Sequence, residues 1–181
     1  MYEVEVKVAA NLRAVAERLD ELDATLTGDV VQVDTYYDAP HREFAETDEA
    51  LRVRRETRAG DTEARITYKG PLVEAESKTR KEFESGVDDG EAADAIFEHL
   101  GFEVAATVEK DRRFYRYGGY TVTLDAVEGV GEFVEVEFET DEDGVEAARE
   151  GAYEVLRDLG LDPDEQTRTS YLGMLLEDTS Q

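Results

Sequence analysis

Charged residues alternate with apolar ones in several segments of this chain. The pattern is present from Glu3 to Lys7 and recurs as far as the segment from Phe133 to Glu139. Because successive side chains of a β-strand point to opposite faces, each segment places ionised groups on one face and Val, Leu, Ile or Phe on the other. The sequence therefore predicts a sheet with one charged face. In a single strand such a face usually meets solvent, but here the rows carry both signs and several are rich in arginine and lysine.

The chain as a whole is strongly acidic, with 46 Asp and Glu against 20 Lys and Arg and a formal net charge of −26. This balance disfavours nucleic acid and anionic membranes as surface partners, so an anion would have to bind where cations are locally concentrated. The acidic residues are spread over the predicted helix faces and loops, as in proteins from a high-salt cytoplasm. We expect such a fold to need salt to screen its own repulsion.

Cysteine content and hydrophobic segments indicate in which cellular compartment the protein is expected. The absence of cysteine excludes disulfides and thiolate metal sites. No basic and apolar signal pattern is visible at the N-terminus, and no apolar run approaches membrane-spanning length, so we expect a soluble, cytoplasmic protein.

The length predicts one domain over residues 1–181. The two histidines, His41 and His99, are predicted to be exposed and receive no role.

Hydrophobic periodicity predicts helices between groups of strands. The helices fall at about 11–24, at Gly90 to Leu100, at Val145 to Leu159 and in a short segment near Tyr171. Strands are predicted at 3–7, 30–38, 50–56, 64–69, 78–84, 105–117, 120–126 and 132–139. The order of strand, helix and several strands occurs twice, which leaves open whether the chain arose by internal duplication.

This order favours an α+β fold in which helices cover the apolar face of an antiparallel sheet. Enough strands are predicted for the sheet to close into a barrel or tunnel. With helices on the outside, the charged rows would face inward. Eight cations are then candidates for one interior: Lys7, Arg52, Arg54, Lys69, Lys78, Arg80, Lys110 and Arg112. Buried charges need a compensating partner, and a polyanion would supply one.

Carboxylates on the same rows form the second half of the predicted site. They are Glu3, Glu5, Asp125, Glu135 and Glu137. Hard oxygen ligands of this kind suit Mg²⁺ or Mn²⁺, and Mg²⁺ commonly combines one or two carboxylates with water and phosphate oxygens. The two sets together indicate a metal-bound polyphosphate. The alternative is that these acids only form structural salt bridges with the lysines and arginines.

The motifs resemble those of the CYTH superfamily, the triphosphate tunnel metalloenzymes, which include class IV adenylyl cyclases and thiamine triphosphatases. The segment Glu3-Val4-Glu5-Val6-Lys7 is similar to the family's N-terminal Glu-x-Glu-x-Lys signature. Further matching segments follow in the expected order over nearly the whole chain: Gln32 to Asp38, Leu51 to Arg54, Thr67 to Pro71, Lys110 to Arg112, Leu124-Asp125, Gly131 to Glu137 and Ser170-Tyr171. The resemblance implies an eight-stranded antiparallel β-barrel whose charged interior holds a triphosphate and divalent metal.

The resemblance also implies residue roles. The acidic group Glu3, Glu5, Asp125, Glu135 and Glu137 would form the metal site, and the eight cations would bind the triphosphate. The core catalytic set would be Glu5, Lys7, Arg54 and Glu137. Arginine can grip phosphate in a bidentate fork, so Arg52 and Arg54 would orient it while the lysines neutralise charge.

Three functions follow from the same constellation. The first is conversion of ATP to cyclic AMP and pyrophosphate, as in class IV adenylyl cyclases. The second is hydrolysis of a triphosphate: inorganic tripolyphosphate, thiamine triphosphate or a nucleotide. The third is a non-enzymatic module that binds nucleotides or polyphosphate, which the retention of all five acidic positions disfavours. The oligomeric state, monomer or homodimer, stays open.

Overall fold

Strands make up most of the regular structure in the computed structural model, which describes residues 1–179. The strands are β1 (Tyr2–Ala9), β2 (Thr25–Asp38), β3 (Ala50–Arg58), β4 (Asp61–Lys69), β5 (Lys78–Val87), β6 (Glu103–Tyr117), β7 (Tyr120–Val127) and β8 (Gly131–Thr140). The helices are α1 (Leu12–Glu21), α2 (Phe44–Thr47), α3 (Gly90–His99), α4 (Val145–Asp158) and α5 (Tyr171–Thr179). None of these helices combines the length and apolarity needed to cross a bilayer.

The strands form a closed antiparallel barrel in the order β1-β5-β4-β3-β2-β6-β7-β8. Strand β1 pairs with the middle of the chain on one side and with the last strand on the other: Glu5 is in register with Lys78 of β5 and with Glu137 of β8. The predicted α+β fold with an eight-stranded barrel and outer helices is thus confirmed. Exchanging the first four strands with the last four preserves this order, as an internal duplication would require.

The largest apolar cluster lies outside the barrel wall. Val6 and Val136 point outward, are fully buried, and pack against Val15 of α1 and Leu156 of α4. Burying a side chain of this size contributes roughly 1.5 to 3 kcal/mol, so the helices hold the outward face firmly. Because side chains alternate along each strand, the charged residues between these valines must face the barrel interior.

Element boundaries differ from the predicted ones where the chain carries other signals. Asn11 caps α1 as predicted, accepting a hydrogen bond from the Ala14 amide at 3.0 Å. The helix ends at Glu21, before the predicted residue 24, because Asp23 adopts a positive φ of 56°. Strand β2 begins five residues before the predicted position 30, since its ladder with β6 extends to Thr25. The single turn α2 was not predicted, as four residues are too few to show a helical period.

Helix α5 covers one region of the barrel and sends Tyr171 inward. Tyr171 packs with Val108, Val127 and Phe133 in a small apolar cluster. A hydrogen bond from the Gly173 amide to Ser170 Oγ, 2.9 Å long, stabilises the start of the helix. The C-terminal segment therefore contributes directly to the barrel interior.

Candidate active site

One cavity of about 830 Å³ inside the barrel brings the predicted cations together. All eight line it: Lys7, Arg52, Arg54, Lys69, Lys78, Arg80, Lys110 and Arg112. Four of the five predicted carboxylates line it too: Glu3, Glu5, Glu135 and Glu137. The alternating rows of six strands thus converge on a single charged interior.

A single carboxylate, Asp34 of β2, organises three of these cations. Arg54 donates to its two oxygens at 2.7 and 2.8 Å, Lys110 Nζ lies 3.4 Å away, and Arg52 lies 3.8 Å away. Asp34 is completely buried. Burial alone would raise its pKa, but Arg52, Lys110 and Arg54 hold the pKa well below its usual range. Asp34 therefore remains an anion that fixes the basic side of the cavity.

A second buried carboxylate, Asp125 of β7, fixes Arg112. The Arg112 guanidinium donates to both Asp125 oxygens at 2.6 and 2.9 Å and to Glu135 at 2.6 Å. The Tyr171 hydroxyl donates to Asp125 at 2.6 Å, so helix α5 is tied into the same network. This bidentate pairing leaves Asp125 facing an arginine rather than the other acids.

Three carboxylates form a cluster suited to a cation. Oxygens of Glu5, Glu135 and Glu137 all lie within 4.8 Å of one another. Burial and the neighbouring Glu3 and Glu135 carboxylates raise the pKa of Glu137 well above its usual range. Lys78 lies 3.1 Å from Glu5 and Arg112 lies 2.6 Å from Glu135, so these two carboxylates are partly compensated, whereas the contact of Glu137 with Arg112 is 3.9 Å long. A bound cation would compensate the remaining like charge. The donor set of hard oxygens fits a divalent ion such as Mg²⁺ or Mn²⁺.

Glu3 lies apart from this cluster and forms a smaller group. Lys69 Nζ is 3.1 Å from Glu3 and 3.1 Å from Glu82. Burial opposes ionisation of Glu3, but Lys69 and Glu82 lower its pKa to about 2. This pairing neutralises Lys69 in part and places Glu3 beside, rather than among, the cation-binding oxygens.

Of the four arginines among the predicted cations, Arg52 and Arg80 make no hydrogen bond to a carboxylate within residues 1–179. Arg52 Nε is buried without a hydrogen-bond partner, and its nearest carboxylate contact, with Asp34, is 3.8 Å long. Arg80 lies 3.6 Å from Asp48, whose side chain is 54% exposed. A buried donor without an acceptor, such as Arg52 Nε, costs roughly 1 to 3 kcal/mol. The Arg52 and Arg80 guanidinium groups can therefore both bind an anion that enters the cavity.

Two lysines have a reduced affinity for protons. Burial, together with the nearby Arg112, lowers the pKa of Lys110 to about 7. Burial and Lys78 lower the pKa of Lys7 to about 8. Lys7 Nζ also lies 3.7 Å from the centre of the Tyr171 ring, which gives it a cation–π contact. These ammonium groups would gain from a nearby polyanion.

The structure separates the predicted site residues into groups. It brings Glu5, Glu135 and Glu137 together, whereas Asp125 and Glu3 pair with Arg112 and Lys69 instead. The sequence prediction assigned no role to Asp34, although Gln32, Asp34 and Tyr36 alternate along β2 in the same manner as the other rows. Both histidines are exposed, and neither reaches the cavity.

Comparison with known proteins identifies the relatives of this barrel. The CYTH domain matches residues 1–171. The chain belongs to the CYTH family. The CYTH relative named "Putative adenylate cyclase MJ0240", from Methanocaldococcus jannaschii, is 37% identical over 174 residues, which cover 95% of this chain and 97% of that protein.

Solved CYTH-like structures show the same architecture. The PH1819 protein of Pyrococcus horikoshii has a TM-score of 0.91 and 38% identity, covering 97% of this chain and 99% of that one. A Hippeastrum protein described as a putative adenylyl cyclase with a dominant triphosphatase activity has a TM-score of 0.69 and 17% identity, covering 98% and 95%. At that identity the second similarity concerns the fold alone.

Proposed function

We propose that this protein is a divalent-metal-dependent enzyme acting on a triphosphate, with conversion of ATP to cyclic AMP and pyrophosphate as its principal reaction. One observation carries the proposal: a three-carboxylate cluster and incompletely paired arginines share one cavity inside the barrel. A cation alone would not explain Arg52 and Arg80, and an anion alone would not explain the acidic cluster. A triphosphate bridged to a metal satisfies both.

In the proposed complex, the basic residues would have two roles, direct binding of phosphate oxygens and neutralisation of charge. Arg52 and Arg80 would hold phosphate oxygens directly, since their guanidinium groups have spare donors. Lys69, Lys78 and Lys110 would neutralise charge. Arg54 and Arg112 would remain fixed by Asp34 and Asp125. Together with Arg52 and Lys110 they form the positively charged side of the cavity, which we call the basic wall. This division refines the expectation that Arg54 is a primary phosphate ligand.

Cyclisation requires a nucleophile, a proton acceptor and a stabilised leaving group. The ribose 3′-hydroxyl would attack the α-phosphorus, forming the cyclic phosphodiester as the bond to the β-phosphate oxygen breaks. Lys7, whose pKa is lowered to about 8, could take the hydroxyl proton when it is neutral. The arginines and lysines would stabilise the pyrophosphate. A divalent cation bound by Glu5, Glu135 and Glu137 would act as a Lewis acid on phosphoryl oxygens.

The second candidate is a triphosphate phosphohydrolase. In that reaction water replaces the ribose hydroxyl and attacks the terminal phosphorus, which releases orthophosphate. The same cavity could support it, and the Hippeastrum protein shows that this fold is compatible with a described triphosphatase activity. The 37% identity to a relative named as a cyclase places the cyclase first in our proposal.

Product analysis tests the proposal. The protein would be incubated in high salt with Mg²⁺ or Mn²⁺ and, separately, with ATP and tripolyphosphate. Cyclic AMP with pyrophosphate would support the cyclase, and orthophosphate the hydrolase. If the protein turns over neither compound, it acts only as a binding module, and our proposal is contradicted.

Glu137→Gln supplies the mechanistic control for this assay. It should abolish metal-dependent turnover while the protein stays folded, because it removes one cation ligand and also relieves repulsion within the carboxylate cluster. Glu146→Gln, an exposed change on α4, should retain full turnover. Equal activity of both variants would contradict the assigned metal site.

A further inference from the structure

Strand β5 is paired on one side only over its last six residues. It pairs with β1 through residues 78–81, whereas residues 82–87 pair with β4 alone. Among residues 1–179, no strand lies against residues 82–87 on the β1 side. We call residues 82–87 the β5 edge.

The backbone groups of the β5 edge alternate between β4 and the open side. The amide of Gly70, which follows β4, donates to the Lys81 carbonyl at 2.9 Å, so Lys81 directs its backbone groups toward β4. Because this direction alternates along an antiparallel strand, Glu82, Glu84 and Gly86 direct theirs toward the open side. Their N–H and C=O groups are available to pair with one further strand.

The outer face of the β5 edge has an aromatic surface that is open to solvent. Residues 83–86 are all exposed, and Phe83 has 66% of its surface exposed. The Phe83 ring stacks on Tyr68 of β4, with the ring centroids 6.4 Å apart. The β5 edge contains neither proline nor lysine, the residues that often prevent a free strand from pairing. A strand added here would cover the exposed ring.

Acidic residues lie on both sides of the position that a further strand would take. That strand would continue the line of β1 beyond Tyr2, with β5 on one side and the end of β8, at Thr140, on the other. Glu82 and Glu84 lie on the inner face of β5. The exposed acidic residues 141–143 follow β8 directly. These charges attract a basic segment and repel an acidic one.

A second copy of this chain fits the open position less well than a basic partner. It would bring another net charge of −26 and, if two β5 edges paired, its own acidic residues against Glu82 and Glu84. Since side chains alternate along a strand, a partner with basic residues beside Glu82 and Glu84 would place its other residues beside Phe83. Apolar residues are the ones that fit there.

We propose that the β5 edge binds an extended segment of another protein in which basic and apolar residues alternate. The segment would add a strand antiparallel to β5. Backbone hydrogen bonds to Glu82, Glu84 and Gly86 would supply affinity, and the two alternating rows of side chains would supply specificity. None of the residues that we assign to catalysis lies on this edge, so the interaction requires no turnover.

A labelled peptide tests this surface. The probe is Lys-Val-Lys-Val-Lys-Val-Lys with blocked ends, and the control peptide has the same composition with its lysines and valines in separate blocks. Fluorescence anisotropy would follow binding to the full protein at about 0.5 M KCl, which screens general attraction to the acidic surface. The alternating peptide should bind at least about tenfold more tightly than the control. Equal affinities, or no binding of the alternating peptide, would overturn the proposal.

Methylation of the peptide backbone distinguishes strand addition from other modes of binding. Lysines opposite Glu82 and Glu84 in an antiparallel pair direct their N–H groups toward β5, whereas the valines direct theirs away. Methylating the lysine amides should therefore remove the preference for the alternating peptide, and methylating the valine amides should change its affinity by no more than about threefold. Equal losses from the two modifications would show that no strand is added.

Two substitutions in β5 test the position of the peptide. Phe83→Ser should weaken binding of the alternating peptide by about tenfold, because the peptide would no longer cover the ring. Gly86→Pro removes an N–H group that faces the open side and leaves the ladder with β4 intact, so it provides a second test if Phe83→Ser fails to fold. Ile96→Ser is the matched control, an exposed apolar residue on α3, and should bind as wild type does.

Wild-type affinity in both β5 variants would place the peptide elsewhere and overturn the proposal, as would an equal loss in Ile96→Ser. Light scattering on the same samples detects the alternative occupant. A dimer that Gly86→Pro dissociates would assign the β5 edge to a second copy of this chain and also overturn the proposal.

Discussion

At the scale of single residues, Asp34 contacts three cations of the basic wall. It has no exposed surface and compensates Arg54, Lys110 and Arg52 at once. Removing one partner of a buried ion pair leaves uncompensated charge in a place where water cannot replace it. The interior can hold many cations because buried carboxylates such as Asp34 compensate their charge.

Asp34→Asn should therefore lower the free energy of unfolding by about 3 to 5 kcal/mol. Urea denaturation at high salt would measure the change. Asp29→Asn, an exposed change on the same strand, should stay within about 0.5 kcal/mol of wild type. Equal stability of the two variants would mean that Asp34 does not hold the basic wall together.

Lys110 gives a pH dependence with a defined sign. Its pKa is about 7 in the folded protein and 10.5 in the unfolded chain. Between these values the unfolded chain binds more protons, so stability must rise with pH across this window. From about pH 7.5 to about pH 9.5, the stability of wild type relative to Lys110→Met should rise by about 2.5 kcal/mol. Denaturation at both pH values would measure it, and a constant or falling difference would contradict the assignment.

The residue scale also shows where sequence reasoning stops. The two-residue repeat of charged side chains correctly predicted that the eight cations and four of the carboxylates lie on the inner face. Alternation along a strand determines the face of the sheet to which each side chain points. The periodicity could not predict that Asp125 pairs with Arg112 and lies outside the cluster of Glu5, Glu135 and Glu137, because the partners of a side chain depend on the register between strands. Asp34 was missed because its three cations lie on β3 and β6.

At the scale of elements, α2 and the segment that follows β4 are linked through Asp48. This residue has a positive φ of 55°, accepts a hydrogen bond from the Leu72 amide at 2.7 Å, and lies 3.6 Å from Arg80. Its carboxylate is half exposed, so it competes weakly with any anion for Arg80. A bound phosphate should displace it from the arginine.

Asp48→Asn should consequently raise the affinity for tripolyphosphate by about two- to fivefold. Asparagine tolerates the left-handed conformation and can still accept from Leu72, so the backbone should be unaffected. Calorimetric titration would measure the effect, with Glu46→Gln on the same turn as the control. Weaker binding in Asp48→Asn would show that the carboxylate assists the site rather than competing with it.

Elements with strong local signals were predicted well, and those without were not. α1 and α3 have capping residues, Asn11 and Asp89, and regular apolar spacing, so both helices begin within one residue of the predicted position, although α1 ends earlier than predicted. The start of β2 was missed because Thr25 to Asp29 lack alternation and pair only through the neighbouring strand. Closure of the barrel depends on contacts between residues at opposite ends of the chain, which no local pattern contains.

At the scale of the whole molecule, the barrel interior is rich in cations, whereas the outer surface is strongly acidic. The interior gathers eight cations, yet the chain carries a net charge of −26. The outer surface must therefore repel itself over distances comparable to the Debye length, which is about 10 Å at 0.1 M salt. Paired charges inside the barrel are screened much less than those on the surface.

Salt should stabilise the fold for this reason. Raising KCl from about 0.1 M to about 2 M should raise the midpoint of thermal unfolding, because added ions screen the acidic surface while the buried pairs remain intact. Circular dichroism during heating would record the midpoint. A midpoint that falls as KCl increases would show that attractive surface pairs dominate instead.

The central claim is that the barrel interior binds a metal and a triphosphate together. Crystals grown with Mn²⁺ and tripolyphosphate would test it through the anomalous signal of manganese. We expect a peak about 2.0 to 2.6 Å from oxygens of Glu5, Glu135 or Glu137, with phosphate density against Arg52. Manganese and tripolyphosphate bound only on the outer surface would contradict it.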